Sequence, residues 1–285
     1  METDLSRLHA VQLDLLRQVD RICRKHGIAY MLFAGTALGA VRHHGFIPWD
    51  DDLDIIMLRP AYEAFLRAAA CELNSEIYTL QSEFTEHWPM FFSKLRRNNT
   101  TYLEKYYPKD PMTNLGVYID IFPCDTLSDH PVMRKLQFAA SKVVIAKSLD
   151  ARGYLTDSRA KQAFIFVCRL LPGKLFHRLA VQRNHGKTRY VHTFFAAASS
   201  YEKSVFPRSW LEQVEQIPFE DGVFPVSAQY DMLLRTLYGD YMQLPPEEER
   251  ACKVHALKVD LEHSYQEYAQ WHREQKFDIF TRSIR

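Results

Sequence analysis

Apolar residues recur along the chain with two different periods, and the switches between them outline its elements. Leu5, Leu8, Leu13 or Val11, Leu15, Val19 and Ile22 mark the stripe of an amphipathic helix across 4–26, and Gly27 supplies a stop. A β-rich run at 28–34 leads to a Gly-Thr turn, a short helix over 36–42, a loop over 43–51 and a strand over 52–57. Pro60 sits where a helix favours proline, in the first turn of a segment running to about Ala70. Further strands are predicted near 77–81, 90–96 and 117–121, with a loop at 108–114. From there the pattern turns helical: 131–150, 158–181 broken at Pro172-Gly173, 207–215, 227–238 and a tail over 246–273. The layout predicts an α+β fold, a mixed sheet with flanking helices over 1–130 and a mainly helical part over 131–285.

The strand at 52–57 opens on the densest cluster of acids in the chain, Asp50-Asp51-Asp52-Leu53-Asp54. Alternate residues of a strand share a face, so Asp52 and Asp54 point one way while Leu53 and Ile55 pack behind. Such a pair can hold one or two magnesium ions, with water and phosphate oxygens completing the shell. Asp50 has the same parity and is the next candidate ligand; Asp51 faces away, toward a pairing with Arg42. The alternative is a solvated acidic turn, but an acid run that opens directly into Leu53-Asp54-Ile55-Ile56-Met57 favours a site. Upstream, Gly35-Thr36 offers small residues and a helix start where backbone N–H groups can meet a phosphate, or else a plain structural turn. Downstream, Asp120 lies inside the apolar run Val117 to Phe122, which is costly unless it is paired or bound to a metal.

This order of Gly-Thr, then Asp-x-Asp, then a third Asp on a later strand resembles the nucleotidyltransferase fold of DNA polymerase β-like enzymes. The stretch from Gly35 to Phe65, GTALGAVRHHGFIPWDDDLDIIMLRPAYEAF, resembles the signature of the LicD family. Lys94-Leu95-Arg96 with Thr100 or Thr101, the run Gly116 to Pro123, Glu202 to Pro207, Phe219-Glu220 with Phe224-Pro225, and Leu237 to Glu247 follow in the family's order. The match spans about residues 10–250. It is loose over 130–200, where acceptor choice is expected to reside, and it fixes nothing in the charged tail after Glu247.

The resemblance implies a metal-dependent transferase that moves a substituted phosphate, typically phosphocholine, from a CDP-alcohol donor to a glycan hydroxyl. On this resemblance the acceptor is expected to be a cell-surface glycan such as lipopolysaccharide or teichoic acid, or a lipid-linked precursor. Asp52, Asp54 and Asp120, with Asp50 as a further candidate, would hold Mg2+ or Mn2+ around the diphosphate, and Asp120 is also the candidate base. Gly35 and Thr36 would cradle the phosphates. Arg42 can grip a phosphate bidentately, or else pair with Asp51. Lys94 can neutralise leaving-group charge, or is an exposed surface lysine. His43 and His44 are adjacent and point apart, so they make poor joint ligands of one zinc ion. Trp49 and Phe46 can face a trimethylammonium group, or anchor the loop as core aromatics. Tyr238, Tyr241, Pro245 and Pro246 are read as buttresses.

Composition narrows the classes. A content of 47% hydrophobic and 13% aromatic residues puts the chain outside the disordered range. A formal net charge of +1 gives no field that recruits nucleic acid. Five cysteines without a CxxC point to free thiols in a reducing compartment, and no apolar run reaches the roughly 20 residues of a membrane helix. The N-terminus, with Glu2 and Asp4, does not read as a signal peptide, so a cytoplasmic location is expected. Between Ser158 and Tyr201 there is no Asp or Glu, while Arg159, Lys161, Arg169, Lys174, Arg178, Arg183, Lys187 and Arg189 alternate with bulky apolar residues. That segment is either a buried helix pair with a basic outer face or a peripheral contact with anionic membrane at its inner face. Two other functions share the fold: a nucleotidyltransferase acting on a small molecule or an RNA end, and an inactive binding module.

Overall fold

The computed structural model describes residues 5–104, 108–154, 156–181, 188–194, 200–250 and 255–273. In chain order the strands are β1 (Met31–Leu32), β2 (Asp54–Leu58), β3 (Tyr78–Gln81), β4 (Ser93–Arg97), β5 (Thr101–Glu104), β6 (Tyr118–Leu127), β7 (Tyr190–His192), β8 (Val205–Pro207), β9 (Val214–Phe219), β10 (Gly222–Ser227) and β11 (Ala256–Asp260). The helices are α1 (Leu5–His26), α2 (Ala34–His43), α3 (Arg59–Glu72), α4 (Pro131–Arg152), α5 (Arg159–Leu170), α6 (Gly173–Ala180), α7 (Tyr230–Tyr238) and the short α8 (Glu247–Arg250). A seven-stranded mixed sheet runs β1-β2-β6-β4-β3, with β7 on the far end of β6 and β8 beside β7. Among the described residues only β2 and β6 pair in parallel; β9–β10 and β5–β11 form separate antiparallel pairs.

The sheet is buried on both faces, which is why β2 and β6 read as continuous apolar runs instead of alternating ones. Ile55, Met57, Leu95, Ile119 and Ile121 pack against Leu15, Leu16, Val19 and Ile22 of α1 and Tyr62 and Phe65 of α3. Ile56, Phe122 and Cys124, of opposite parity, face Ala140, Val144 and Ile145 of α4. The two layers are tied at the start of α3, where Arg59 donates from Nε and Nη2 to both carboxylate oxygens of buried Asp125 at 2.7 Å each. A bidentate pair of this kind fixes orientation as well as charge.

The expected elements from α1 to α6 are present, with informative shifts. Gly35-Thr36 is not a separate turn, because α2 already begins at Ala34 and takes both residues into its first turn. The chain swings from β1 into α2 through Ala34, whose φ of 46° is a left-handed conformation that L-residues adopt at a cost. The stretch 207–215 forms a single 3-10 turn at Arg208–Trp210 and then enters β9, which returns as β10 around Glu220-Asp221. The tail over 246–273 is not one helix either: after α8 it forms β11, antiparallel to β5. The region 131–285 therefore carries β7 to β11 as well as helices. Cys23, Cys71, Cys124 and Cys168 are free thiols. Cys252, Arg183 and Lys187 lie outside the described residues.

Candidate active site

Strand register brings three charges into one row. Asp54 of β2 is the parallel partner of Asp120 of β6, and Asp120 is the antiparallel partner of Lys94 of β4. All three are buried. Lys94 is therefore no surface lysine; its Nζ lies 2.9 Å from Asp120 Oδ1 and 3.0 Å from the centre of the Tyr118 ring. Burial pulls its pKa down to about 8 against the pull of Asp120. Burial also pushes Asp120 up, and Lys94 opposes it. Asp54 has no such partner: its Oδ1 is buried without a hydrogen bond, and burial plus the charges of Asp52, Asp120 and Asp50 hold its carboxyl well above the usual range.

Asp50 and Asp52 precede β2, yet both line a cavity with Asp54, as their parity predicts. Burial, then the Asp50 charge, pushes Asp52 up to about 8. Gly35 also lines this cavity, and a Cβ there would stand 2.8 Å from Asp50 Oδ2. Glycine at 35 thus leaves room for the Asp50 carboxylate. No side chain caps α2, so its first-turn N–H groups are not engaged by a capping residue. Thr36 is buried, and its hydroxyl oxygen accepts from Asp54 N–H at 2.8 Å, which fixes the start of β2 instead of lining the cavity.

Asp51 faces away, as expected, but its partner is not Arg42. Its fully buried carboxylate accepts from Tyr102 Oη at 2.7 Å, His255 N at 2.7 Å and Ala256 N at 3.0 Å, and its Oδ1 meets His255 Nδ1 at 3.0 Å. The buried acid holds the His255 ring at Nδ1, and the exposed imidazole lines the cavity. The hydrogen bond that the imidazole donates to Asp51 is the main cause of a His255 pKa raised to about 9. His255 gave no sequence signal, because it lies in a tail without a motif and meets Asp51 only through the β5–β11 pairing.

The other candidates divide. Arg42 lines the cavity, and its Nη1 donates to the carbonyls of Tyr241 at 2.6 Å and Gln243 at 3.3 Å, tying α2 to the 239–246 segment. Trp49 lines the cavity, with the Arg250 guanidinium 4.8 Å from its ring centre and His43 edge-on. Phe46 does not: it stacks on His9 and packs on Phe219 in the core, so it is a loop anchor and no part of a choline box. Tyr238, Tyr241, Pro245 and Pro246 line the wall, joined by Lys203 and Asp240, which the sequence reading had not assigned to the site.

The cavity measures about 820 Å³, large enough for a drug-sized or nucleotide ligand, and its lining combines the acids Asp50, Asp52 and Asp54 with the cationic side chains Arg42, Lys203 and His255. Its carboxylate oxygens suit a hard divalent cation. Among the described residues no group of three or more His, Cys, Asp or Glu side chains forms a cation site by itself. The set that fits is one or two of the cavity carboxylates, Asp54 with its unpartnered oxygen foremost, with the remaining positions left to phosphate and water.

Residues 27–145, which contain the acid row, match the family described as LicD/FKTN/FKRP, nucleotidyltransferase domain. The lipopolysaccharide cholinephosphotransferase LicD of Haemophilus influenzae is 29% identical, with 84% of this chain and 92% of that protein covered. Both matches place the similarity with the LicD family. An uncharacterized protein of Rickettsia prowazekii is 31% identical, covering 36% of this chain and 51% of its own length. α5, α6, Lys203 and His255 lie beyond the family-matched span, while Asp50, Asp52 and Asp54 of the cavity lie inside it.

Proposed function

We propose that this chain moves phosphocholine from CDP-choline to a hydroxyl of lipopolysaccharide or a related cell-surface glycan, with magnesium or manganese as the cation. The observation that carries the reading is the buried, unpartnered Asp54 carboxylate in an acid-lined cavity of nucleotide size, in a relative of a cholinephosphotransferase. The sheet and helices would then be an instance of the nucleotidyltransferase-like fold. Asp52 and Asp54, with Asp50 and Asp120, would hold the cation, which supplies charge neutralisation at the diphosphate.

The chain's own residues do the rest. Gly35 and the N–H groups of the first turn of α2 receive phosphate oxygens, as helix N-termini do. Arg42, Lys203 and the His255 imidazolium face the charge that develops on the leaving CMP. Asp120 takes the acceptor proton while the hydroxyl oxygen bonds to phosphorus and the bond to CMP breaks; burial moves it toward the basicity that step needs, and Lys94 keeps it ionised beforehand. Trp49, Tyr238 and Tyr241 offer aromatic surface to the trimethylammonium group.

The test is incubation of the purified protein with magnesium, an acceptor glycan and a panel of CDP-linked choline, ethanolamine, ribitol and glycerol, reading CMP. Release with choline foremost supports the proposal. Pyrophosphate release from a free nucleoside triphosphate, with no CMP from any CDP-alcohol, would replace it with nucleotidyl transfer.

A further inference from the structure

Helices α5 and α6 form a hairpin whose outer face is apolar and basic at once. Its inner face is firmly seated. Cys168 is buried against Val143 and Ala146 of α4, and Lys147 Nζ of α4 donates to the carbonyls of Cys168, Arg169 and Leu171 at 3.3, 3.0 and 3.0 Å, capping the end of α5. The opposite side of α5 carries Ala163, Phe166, Val167 and Leu170, spaced i, i+3, i+4 and i+7. In a soluble helix such a stripe faces the core. Here Phe166, Val167 and Leu170 are 61%, 55% and 72% exposed, and Leu175 of α6 is also exposed.

Five exposed cations share the hairpin: Arg159, Lys161, Arg169, Lys174 and Arg178. None of them pairs with a carboxylate among the described residues, and the sequence has no acid from Ser158 to Tyr201. At its side, Phe84, Pro89 and Val144 line an open groove of about 570 Å³ with Lys147, Lys174 and Arg178. Apolar side chains flanked by unpaired cations complement one surface well, acyl chains beneath anionic headgroups. A second copy of this chain docked face to face would set cation against cation.

We propose that the α5–α6 hairpin docks the protein peripherally on an anionic phospholipid bilayer. Phe166, Val167 and Leu170 enter the interface, and Arg169, Lys174 and Arg178 meet lipid phosphates. Among the described residues no helix is long and apolar enough to cross a membrane, so the contact is one of adsorption. The inference does not depend on the transfer reading.

Vesicle co-sedimentation of the full chain tests it, with phosphatidylcholine vesicles against phosphatidylcholine–phosphatidylglycerol vesicles at low and high salt. Wild type should pellet with the anionic vesicles at low salt and be released by salt. Lys174→Gln with Arg178→Gln should weaken binding by about tenfold or more, each basic residue near such a surface being worth roughly fivefold. Phe166→Ser with Leu170→Ser should weaken it by roughly tenfold or more as well. These side chains are exposed, so unchanged circular dichroism is expected in both variants. Four results overturn the proposal: wild type left in the supernatant at low salt, equal binding to neutral vesicles, binding unaltered in both variants, or a dimer in analytical ultracentrifugation that Phe166→Ser with Leu170→Ser turns into monomer.

Discussion

The acid row and the α5–α6 hairpin break the burial rule in opposite directions. In the row, carboxylates that belong in water are held inside the protein; in the hairpin, apolar side chains that belong inside are held in water. The difference lies in what compels each. Asp54, Asp120 and Lys94 are fixed by the register of three central strands, and a slip would turn every neighbour inside out. Among the described residues nothing compels Phe166 or Leu170 outward; α5 has one buried position there, Cys168, and an opposite face that none of them covers. A rule broken at a rigid centre points to chemistry, and one broken on a rim points to a surface beyond the molecule.

The sharpest way to break this comparison is at Asp54. Asp54→Asn and Asp52→Asn should each lower CMP release at least about a hundredfold, the loss of roughly 3 kcal/mol of charge stabilisation in the transition state. In chelator, the melting temperature of Asp54→Asn should rise, because a buried carboxyl without a partner becomes a neutral amide. A variant that lost stability along with activity would show that Asp54 is structural.

Asp120 should behave differently although it is the register partner of Asp54. Asp120→Asn leaves Lys94 buried without its carboxylate, which costs about 3 kcal/mol of stability, read as a lower urea midpoint. Activity should be lost as well. Excess manganese should not restore it if Asp120 takes the acceptor proton; full rescue would reduce its role to metal binding.

His255 comes next. His255→Ala should slow CMP release roughly tenfold, the scale of one charge-assisted contact to phosphate. Tyr102→Phe removes only one of the hydrogen bonds on Asp51 and should cost only a few-fold. Equal rates in His255→Ala and wild type would remove the imidazole from the site.

Stability gives a fourth handle through Glu104. Burial raises its carboxyl, but Arg152, Lys94 and Arg96 more than reverse this and hold it at about 2, below the usual 4.5. Its contribution is then fully present above pH 4.5 and fades as pH falls toward 2. Glu104→Gln should be about 3 kcal/mol less stable than wild type at neutral pH, with the gap closing on acidification in urea melts. A gap that ignored pH would rule the ion cluster out as its source.

The smallest effect is expected on the hairpin. Phe166→Ser with Leu170→Ser should leave CMP release with a soluble acceptor unchanged and stability within about 0.5 kcal/mol, as exposed positions do.

Local pattern carried the acids well. The parity of Asp50, Asp52 and Asp54 and the lone acid in an apolar strand were legible because a strand's period is local. So were α1 and α3 to α6, whose stripes and proline breaks sit within each helix. The failures needed distant partners. That Lys94 neutralises Asp120 depends on sheet register, and that Asp51 grips His255 depends on two strands about 150 residues apart. The strand at Ala256–Asp260 exists because β5 offers it an edge, which its charged sequence does not announce. Phe46 suggested a choline box by lying near the acids in sequence, whereas the left-handed turn at His44 sends it into the core.

The most direct measurement is CMP release from CDP-choline, with magnesium and an acceptor glycan, by wild type and Asp54→Asn side by side. The account predicts steady release by wild type, abolished by chelator and lowered at least about a hundredfold by the substitution, with phosphocholine appearing on the glycan. Equal release by the two proteins, or none from wild type with any CDP-alcohol, would contradict it.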